Sequence, residues 1–238
     1  MAEAQETKPW KTQAEVKKLT IGTKYLGSGA FGNVYVGRIT FAGEKSKQVA
    51  VKRFYENMAP GYFNKVKFDD EVVGHYQEAI AKLRQEKVPV LKTGFVKHKG
   101  SIVQVQELYA NSNGSKITEA LQEVNVDPRI IQDPQTKKQL FDIIGGIINA
   151  GLNPHPDTIG VVQTSKGKRL VVHDLDFLAH INYAKPRNFF SVARDLNDRL
   201  MDWREKFNQA GVGSAEFLAE LEKRVNRPEV LNEIRNLE

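Results

Sequence analysis

The sequence contains no cysteine among its 238 residues. This absence excludes disulfides, thiolate zinc sites, iron–sulfur clusters and a cysteine nucleophile. Long apolar runs are also missing, since the longest, at residues 143–152, is too short to span a bilayer. The opening stretch, MAEAQETKPW, lacks the apolar core of a secretory signal peptide. We therefore expect a soluble protein that works in a reducing compartment such as the cytoplasm.

The composition is that of a globular chain, with 40% hydrophobic and 27% charged residues. At this length it can bury a core as one large domain or as two lobes. The formal net charge of +6 is uneven, because residues 1–67 carry a net +7 and residues 68–238 a net −1. A basic first third can serve nucleic acid, a membrane surface or an anionic cofactor. Since neither a dense Lys/Arg block nor interleaved aromatic residues accompany it, we expect no nucleic-acid partner.

Strand patterns dominate the first half of the chain. Residues 1–17 are polar and predict a flexible lead-in. Alternating apolar residues then predict antiparallel strands between 19 and 54 and two more between 88 and 109, with one helix at 68–87. The apolar stripe of that helix is formed by Val72, Val73, Tyr76, Ala79, Ile80 and Leu83.

Helical patterns dominate the second half. After a linker at 110–116 we predict short helices at 117–124 and 134–150, and then a pair of strands within 152–177. Further helices are predicted to begin at Ser191, Ser214 and Pro228.

These elements predict an α+β fold with two lobes and a cleft between them. The amino-terminal lobe, at residues 18–110, combines an antiparallel sheet with one helix. The carboxy-terminal lobe, at 111–238, is mainly helical and carries the second pair of strands. A hinge between the lobes is expected near 107–114.

The most informative motif is the run GSGAFGNV at residues 27–34. Its glycines, Gly27, Gly29 and Gly32, permit positive φ and let backbone N–H groups approach an anion without an intervening Cβ. Predicted strands flank the run on both sides, which disfavours a dinucleotide-binding fold, where a helix follows. Shortly afterwards a predicted strand, VAV, ends in Lys52, a point charge able to reach phosphates. The motif therefore predicts a nucleotide phosphate site.

Over residues 20–110 the chain resembles the protein-kinase superfamily: a glycine-rich loop with its trailing valine, a V-A-V-K strand, a helix, two strands and a hinge-like E-L-Y. The resemblance implies that ATP is bound there. Lys52 is then expected to hold the α- and β-phosphates and to pair with an acid, and Glu107 and Tyr109 belong to the hinge. The loop residues implied to bind the nucleotide are Gly27, Ser28, Gly29, Ala30, Phe31, Gly32 and Val34.

Three acids are open as the partner of Lys52. Glu71 completes an F-x-x-E pattern that kinases show, and we favour it. On a helical wheel, however, Glu71 and Glu78 fall on the polar side, whereas Asp69 lies on the apolar stripe.

The catalytic loop departs from the kinase pattern, because neither H-R-D-x-K-x-x-N nor D-F-G is intact. One register takes H-P-D at 155–157 as the equivalent of H-R-D, so that Asp157 is the base that orients an acceptor hydroxyl. The other aligns P-D-T-I at 156–159 with the P-E-N-I that leads into the next strand. Asn153 then replaces the catalytic aspartate and Thr158 the metal-binding asparagine. This second register places the strand better and predicts a crippled base, since an amide does not accept a proton as a carboxylate does.

Two carboxylates near the end of the next predicted strand are candidate ligands for Mg²⁺. Asp176, followed by Phe177, matches the D-F pair of the kinase motif without its glycine, and Asp174 ends the alternating strand more cleanly. Mg²⁺ is a hard ion that prefers such oxygen ligands. His155 and His173 belong to no spaced His/Glu cluster, and we interpret them as ordinary loop histidines.

The missing A-P-E motif and the small size resemble the compact kinases that bacterial pathogens deliver into host cells, the OspG/NleH type. This resemblance implies a virulence effector that acts in a host cytoplasm, with a host protein as substrate or activator. The first hypothesis is accordingly a protein kinase that uses ATP and Mg²⁺. Two alternatives are a pseudokinase that binds nucleotide or a partner without catalysis, and an adenylyltransferase that holds the nucleotide in reverse.

Overall fold

The computed structural model describes residues 15–29, 32–55, 69–108, 121–123, 129–164, 167–175 and 189–236. The fold class is α+β, as predicted. The chain divides into two compact units, the first made of Met1–Val73 and Leu91–Ala110 and the second of Gly74–Val90 and Asn111–Glu238. The division near residue 110 that the sequence suggests stays a prediction.

The first unit contains a five-stranded antiparallel sheet with the strand order β1-β2-β3-β5-β4. Its strands are β1 (Val16–Gly29), β2 (Gly32–Phe41), β3 (Lys47–Phe54), β4 (Thr93–His98) and β5 (Ser101–Glu107). Val16 already pairs with Phe41, so residues 16 and 17 belong to the sheet rather than to the predicted lead-in. A Lys-Gly turn joins β4 to β5, with positive φ at both Lys99 and Gly100.

One face of this sheet carries the apolar core of the first unit. Strand alternation places every second residue of β3 and β5 on this face, which explains the valine pattern of the sequence. Its buried members are Ile39, Phe41, Val49, Val51, Val96, Val103 and Val105. Each such side chain stabilises the fold by roughly 1.5–3 kcal/mol relative to exposure. The opposite face is therefore available for polar residues.

Helix α1 (Asp70–Gln85) follows the predicted apolar stripe. Tyr76 and Leu83 are fully buried along it, whereas Val73 is only half-buried. Asp69 is not part of the stripe. It is exposed, and its Oδ1 accepts hydrogen bonds from the N–H groups of Glu71 and Val72, which caps the start of the helix.

The second unit contains a three-stranded antiparallel sheet with the order β6-β7-β8. The strands are β6 (Leu121–Glu123), β7 (Ile159–Thr164) and β8 (Gly167–Val172). The β7–β8 hairpin confirms the predicted strand pair. The helix predicted at 117–124 is wrong for residues 121–123, because their backbone groups pair with β7 instead; residues 117–120 lie outside the described residues.

Helices form the rest of the second unit. They are α2 (Arg129–Gln132), α3 (Pro134–Asn149), α4 (Phe189–Gln209), α5 (Ser214–Glu222) and α6 (Pro228–Arg235). Ser191 was expected to cap a helix and instead lies inside α4, which begins two residues earlier. Ser214 and Pro228 are the first residues of their helices, as predicted.

The core of the second unit is aromatic where α3, α4 and α5 meet. Phe207 lies 4.5 Å from Phe141 and 5.0 Å from Phe217, measured between ring centroids. Trp203 packs edge-on against Phe207 and is fully buried. Such ring pairs add to the stabilisation from burial and fix the position of α4 within this unit. None of the helices in the described ranges combines the length and apolar character needed to cross a bilayer.

Candidate functional site

The glycine-rich run forms the end of the β1–β2 hairpin. The predicted strands on either side of it are confirmed. Ala30 and Phe31, two of the predicted nucleotide-binding residues, lie outside the described residues. The pairs that lead to the end of the hairpin are Gly27 with Val34, Ser28 with Asn33 and Gly29 with Gly32.

Lys52 stands beside this hairpin because of the strand register. It is the register partner of Val34 on β2 and of Gln104 on β5, so Gly27, Val34, Lys52 and Gln104 form one row across four strands. Residues in such a row project their side chains to the same face. With strands about 4.8 Å apart, the Cα atoms of Gly27 and Lys52 are about 10 Å apart. We call this row the glycine–lysine face; it lies opposite the apolar core of the sheet.

Gly27 and Gly32, which flank the hairpin end, differ in the space that a Cβ would have at each position. A Cβ on Gly32 would lie 2.3 Å from the carbonyl oxygen of Arg53, so this position lets β2 approach β3 closely. A Cβ on Gly27 would meet no atom of the described residues within 4 Å. Neither glycine uses the positive φ that glycine permits. Space next to Gly27 is therefore compatible with a ligand that approaches the backbone.

Gln104 is a member of this face that the sequence reasoning missed. It is 2% exposed, a low value for a polar side chain on the sheet face opposite the apolar core. The signal for it is the alternation V-Q-V-Q in β5, which assigns valines to one face and glutamines to the other. Lys52 itself is half-buried, with its Nζ 5.9 Å from the ring centroid of Phe54.

Two of the three acids considered as partners of Lys52 have local roles. Asp69 caps α1, as described above. Glu78 forms an ion pair with Lys82 at 2.7 Å, and the hydrogen bond from Lys82 lowers the pKa of the Glu78 carboxyl. Glu71 lies exposed in the first turn of α1. Pairing of Lys52 with Glu71 stays a prediction.

The predicted hinge begins at the end of β5. Glu107 pairs with Val49, and its N–H donates to the carbonyl oxygen of Lys92 at 2.9 Å. Its backbone N–H is thus used within the first unit. Tyr109 lies outside the described residues, so its predicted contact with a nucleotide stays a prediction.

The candidate catalytic loop, residues 153–158, lies in the second unit and is anchored by α4. The indole Nε1 of Trp203 donates a 2.6 Å hydrogen bond to the carbonyl oxygen of Pro154. Both groups are buried, and losing this bond would leave a buried polar group without a partner from α4. The loop ends in a single 3₁₀ turn, Pro156–Thr158, and β7 follows at once with Ile159. We call this segment the 153–158 loop.

The residues that the second register assigns to catalysis are turned inward. Asn153 is 7% exposed and Thr158 is fully buried. The hydroxyl of Thr158 donates to the carbonyl oxygen of His155 at 2.7 Å, which ties the side chain to the backbone of the same loop. The direct start of β7 after Thr158 agrees with the strand position that this register requires.

Asp157, the base in the first register, is more accessible. Its side chain is 37% exposed, and its Oδ2 lies 3.7 Å from Nδ1 of His155. The same Nδ1 accepts the backbone N–H of Asp157 at 3.2 Å. Sequence reasoning treated His155 as an ordinary loop histidine and missed this contact. The only sequence feature that points to this contact is a histidine directly before a Pro-Asp pair.

Burial and nearby charges together shift the pKa of His155. Burial lowers the pKa of the imidazole, and the positive charge of Arg199 lowers it further; the carboxylates of Asp157, Asp202 and Asp174 act in the opposite direction. The net shift is downward, so His155 is neutral at neutral pH. Asp157 and Asp174 both act electrostatically on this one imidazole, so the second unit places these two predicted site residues in the same neighbourhood.

An open pocket of about 320 Å³ adjoins Asp157. The 153–158 loop forms one wall and the carboxy-terminal half of α4 the other. Its lining residues are His155, Pro156, Asp157, Asp202, Glu205, Lys206 and Gln209. Asp157 thus borders a space that can admit a small group such as a hydroxyl-bearing side chain.

The predicted metal ligands are described only in part. Asp174 is half-buried just after β8, and Asp176 lies outside the described residues. Within the ranges that the structure describes, no group of three or more His, Cys, Asp or Glu side chains is placed to hold a metal ion. Mg²⁺ in nucleotide sites commonly takes one or two carboxylates, with phosphates and water completing its shell. The single carboxylate of Asp174 fits that type of donor set.

Comparison with known proteins gives a likeness of structure only. No protein-family model matches the sequence, and no curated protein matches it. Solved structures do match, among them the kinase domain of PknI from Mycobacterium tuberculosis. This match has 14% sequence identity and a TM-score of 0.45, and it covers 80% of this chain and 77% of the other. A likeness at this level transfers neither residue roles nor an activity, so function has to be argued from this chain's own residues.

Proposed function

We propose that the protein is an ATP- and Mg²⁺-dependent phosphotransferase of the protein-kinase type. The observation that carries the proposal is the glycine–lysine face. Its register sets Lys52 beside the end of the glycine-rich hairpin, and Gly27 leaves the backbone open to an anion. A lysine charge next to strand backbone that carries no Cβ at Gly27 suits the polyphosphate of a nucleotide.

Lys52 and the hairpin would neutralise and position the phosphates in this proposal. Asp157 would orient an acceptor hydroxyl, and Asp174 or Asp176 would hold Mg²⁺, which neutralises charge on the transferred group. Phosphoryl transfer depends mainly on positioning and electrostatic stabilisation, so a departure from the usual catalytic loop is compatible with activity. A protein acceptor and an effector role in a host cell stay predictions from the sequence.

A second candidate is a pseudokinase, and one observation favours it. If the second register applies, the positions of the catalytic base and of the metal-binding amide are occupied by Asn153 and Thr158. Both are buried, and the Thr158 hydroxyl bonds to a backbone carbonyl. Such a protein would bind nucleotide through the glycine–lysine face and transfer nothing.

The test is a transfer assay with Lys52→Met. The pure chain is incubated with Mg²⁺, extract from host-type cells and ATP labelled at either the γ- or the α-phosphate. We expect label from the γ-position only, and a loss of roughly a hundredfold in Lys52→Met, because a fixed cation at the phosphates is removed. The control, Lys47→Met, changes an exposed lysine of the same strand that pairs with Glu44 at the surface.

Other results separate the alternatives. Label from the α-position would indicate adenylyl transfer. ATP binding measured by calorimetry without any transfer would favour the pseudokinase. Absence of both binding and transfer in a folded protein would contradict the proposal.

A further inference from the structure

His155 occupies the position before the 3₁₀ turn at which a capping side chain is needed. The first residue of that turn, Pro156, has no N–H, so the N–H of Asp157 is the first donor that the turn exposes. Nδ1 of His155 accepts this N–H at 3.2 Å, with His155 in an extended conformation (φ −65°, ψ 131°). Capping residues are usually Ser, Thr, Asp or Asn. A histidine can do the same only through an unprotonated ring nitrogen.

This contact requires one chemical form of the imidazole. Because Nδ1 accepts, the neutral ring carries its proton on Nε2. A proton on Nδ1 would turn the acceptor into a donor, which the N–H of Asp157 cannot satisfy. One acceptor for that proton would be Oδ2 of Asp157, 3.7 Å away. Protonation would therefore exchange a contact with the backbone of Asp157 for a contact with its carboxylate.

The groups that face His155 come from three parts of the second unit. Asp157 lies on its own loop, Arg199 and Asp202 on α4, and Asp174 after β8. Glu205 and Lys206 of α4 line the same pocket. With 13% of its side chain exposed, the ring has little contact with water that could replace the hydrogen bond to Asp157.

We propose that His155 is a positioning residue: as a neutral imidazole it caps the 3₁₀ turn through Nδ1 and thereby holds the Asp157 carboxylate toward the pocket. The catalytic consequence of this role rests on the proposed phosphotransferase function. The hydrogen bond itself does not, and the two are tested separately.

The first test observes the imidazole and the turn directly. In a chain labelled with ¹⁵N, long-range ¹H–¹⁵N correlations report which ring nitrogen carries the proton, and the spectrum of His155→Asn identifies the His155 signal. We expect an unprotonated Nδ1 and a protonated Nε2 at pH 7.5. Hydrogen exchange of the Asp157 amide should be slow in the wild type and in His155→Asn, whose side-chain oxygen also caps, and faster in His155→Leu.

The second test uses the transfer reaction. His155→Leu should lower kcat roughly tenfold or more and leave KM for ATP unchanged, because the carboxylate is displaced and the nucleotide is not. His155→Asn should restore kcat. We also expect kcat of the wild type to fall as acid protonates His155, and kcat of His155→Asn to lack this fall.

A protonated Nδ1 at pH 7.5, or equal exchange of the Asp157 amide in wild type and His155→Leu, overturns the proposal. So does a His155→Asn variant that is as impaired as His155→Leu. If the wild type transfers no phosphate, the proposed function fails, and the ring and amide measurements still decide the role of His155. If His155→Leu does not fold, the protonated ring nitrogen of the wild type and the dependence of kcat on pH in wild type and His155→Asn decide the role of His155.

Discussion

The glycine–lysine face and the 153–158 loop hold their candidate residues in different ways. In the first, strand register alone brings Gly27, Val34 and Lys52 into one row. In the second, side chains bond to nearby backbone groups: Trp203 to Pro154 and Thr158 to His155. In a sheet, residue alternation and strand register determine which side chains lie together. The conformation of a loop depends instead on contacts that the sequence pattern does not specify.

This difference separates the two functional hypotheses. Under the proposed function, the face would supply Lys52 and the glycine backbone to a nucleotide, and in the second register the loop would lack the carboxylate base. A change in the face should therefore affect nucleotide binding, whereas a change in the loop should affect turnover only. Four further experiments examine this division.

The largest effect is expected from Asp157→Asn. Loss of the carboxylate should reduce γ-phosphate transfer by about a hundredfold or more, and the affinity for ATP should not change. Single-turnover transfer and calorimetric binding measure the two quantities. Full activity of Asp157→Asn would rule out the first register. A gain of activity in the matched variant Asn153→Asp would then support the second.

The two glycines of the hairpin should respond differently to the same change. Gly32→Ala should lower the free energy of unfolding by about 2–3 kcal/mol, since its Cβ would overlap a backbone carbonyl of β3. Gly27→Ala should leave stability within about 0.5 kcal/mol and weaken ATP binding. Urea unfolding and calorimetry provide the measurements. Equal stability of the two variants would mean that β2 and β3 are not packed as described.

Trp203→Phe should have a smaller effect. It removes the hydrogen bond to Pro154 and keeps an aromatic ring in the core, so we expect a loss of about 1–2 kcal/mol in the free energy of unfolding. It should also lower kcat without changing ATP affinity, because only the 153–158 loop loses its anchor. The control on the same helix is Met201→Leu, whose side chain is 42% exposed. Weakened ATP binding in Trp203→Phe would contradict the division between face and loop.

The smallest effect is the contribution of His155 to the pH dependence of stability. Burial lowers the pKa of His155 in the folded chain, so the unfolded chain takes up the proton more readily. The stability due to this residue is complete above its unfolded pKa of about 6.5 and is lost as the pH falls through and below that value. The melting temperature of the wild type should therefore fall more steeply between pH 7.5 and 5 than that of His155→Asn. Parallel curves would show that His155 is not buried in its neutral form.

Much of the fold could be predicted because its patterns are periodic. Alternating valines mark β3 and β5, and the stripe with Tyr76 and Leu83 marks α1. The prediction failed where tertiary pairing overrides local preference. Residues 121–123 pair with β7 although their local pattern suggests a helix. Asp69 caps a helix although a wheel drawn through it suggests burial.

The candidate site was predictable to the same degree as its scaffold. The hairpin and Lys52 follow from glycine spacing and strand alternation. The burial of Gln104 does not follow in the same way, because a polar residue in a strand is equally compatible with an exposed face. The capping contact of His155 was missed because the sequence does not report which ring nitrogen accepts a bond.

The sequence by itself predicted the strands of the sheet in the first unit, except for its first two residues, and the glycine-rich hairpin with Lys52 on a nearby strand, and it excludes thiol chemistry. Each of these depends on residue type and short-range periodicity, both of which can be read directly from the sequence. Tertiary structure alone decided that Thr158 is buried and that Asp157 is exposed to a pocket. It also decided the burial that lowers the pKa of His155 and brought charges from α4 and from the residues after β8 to act on that imidazole. Burial and electrostatics depend on atoms that are distant in sequence and meet only when the chain has folded.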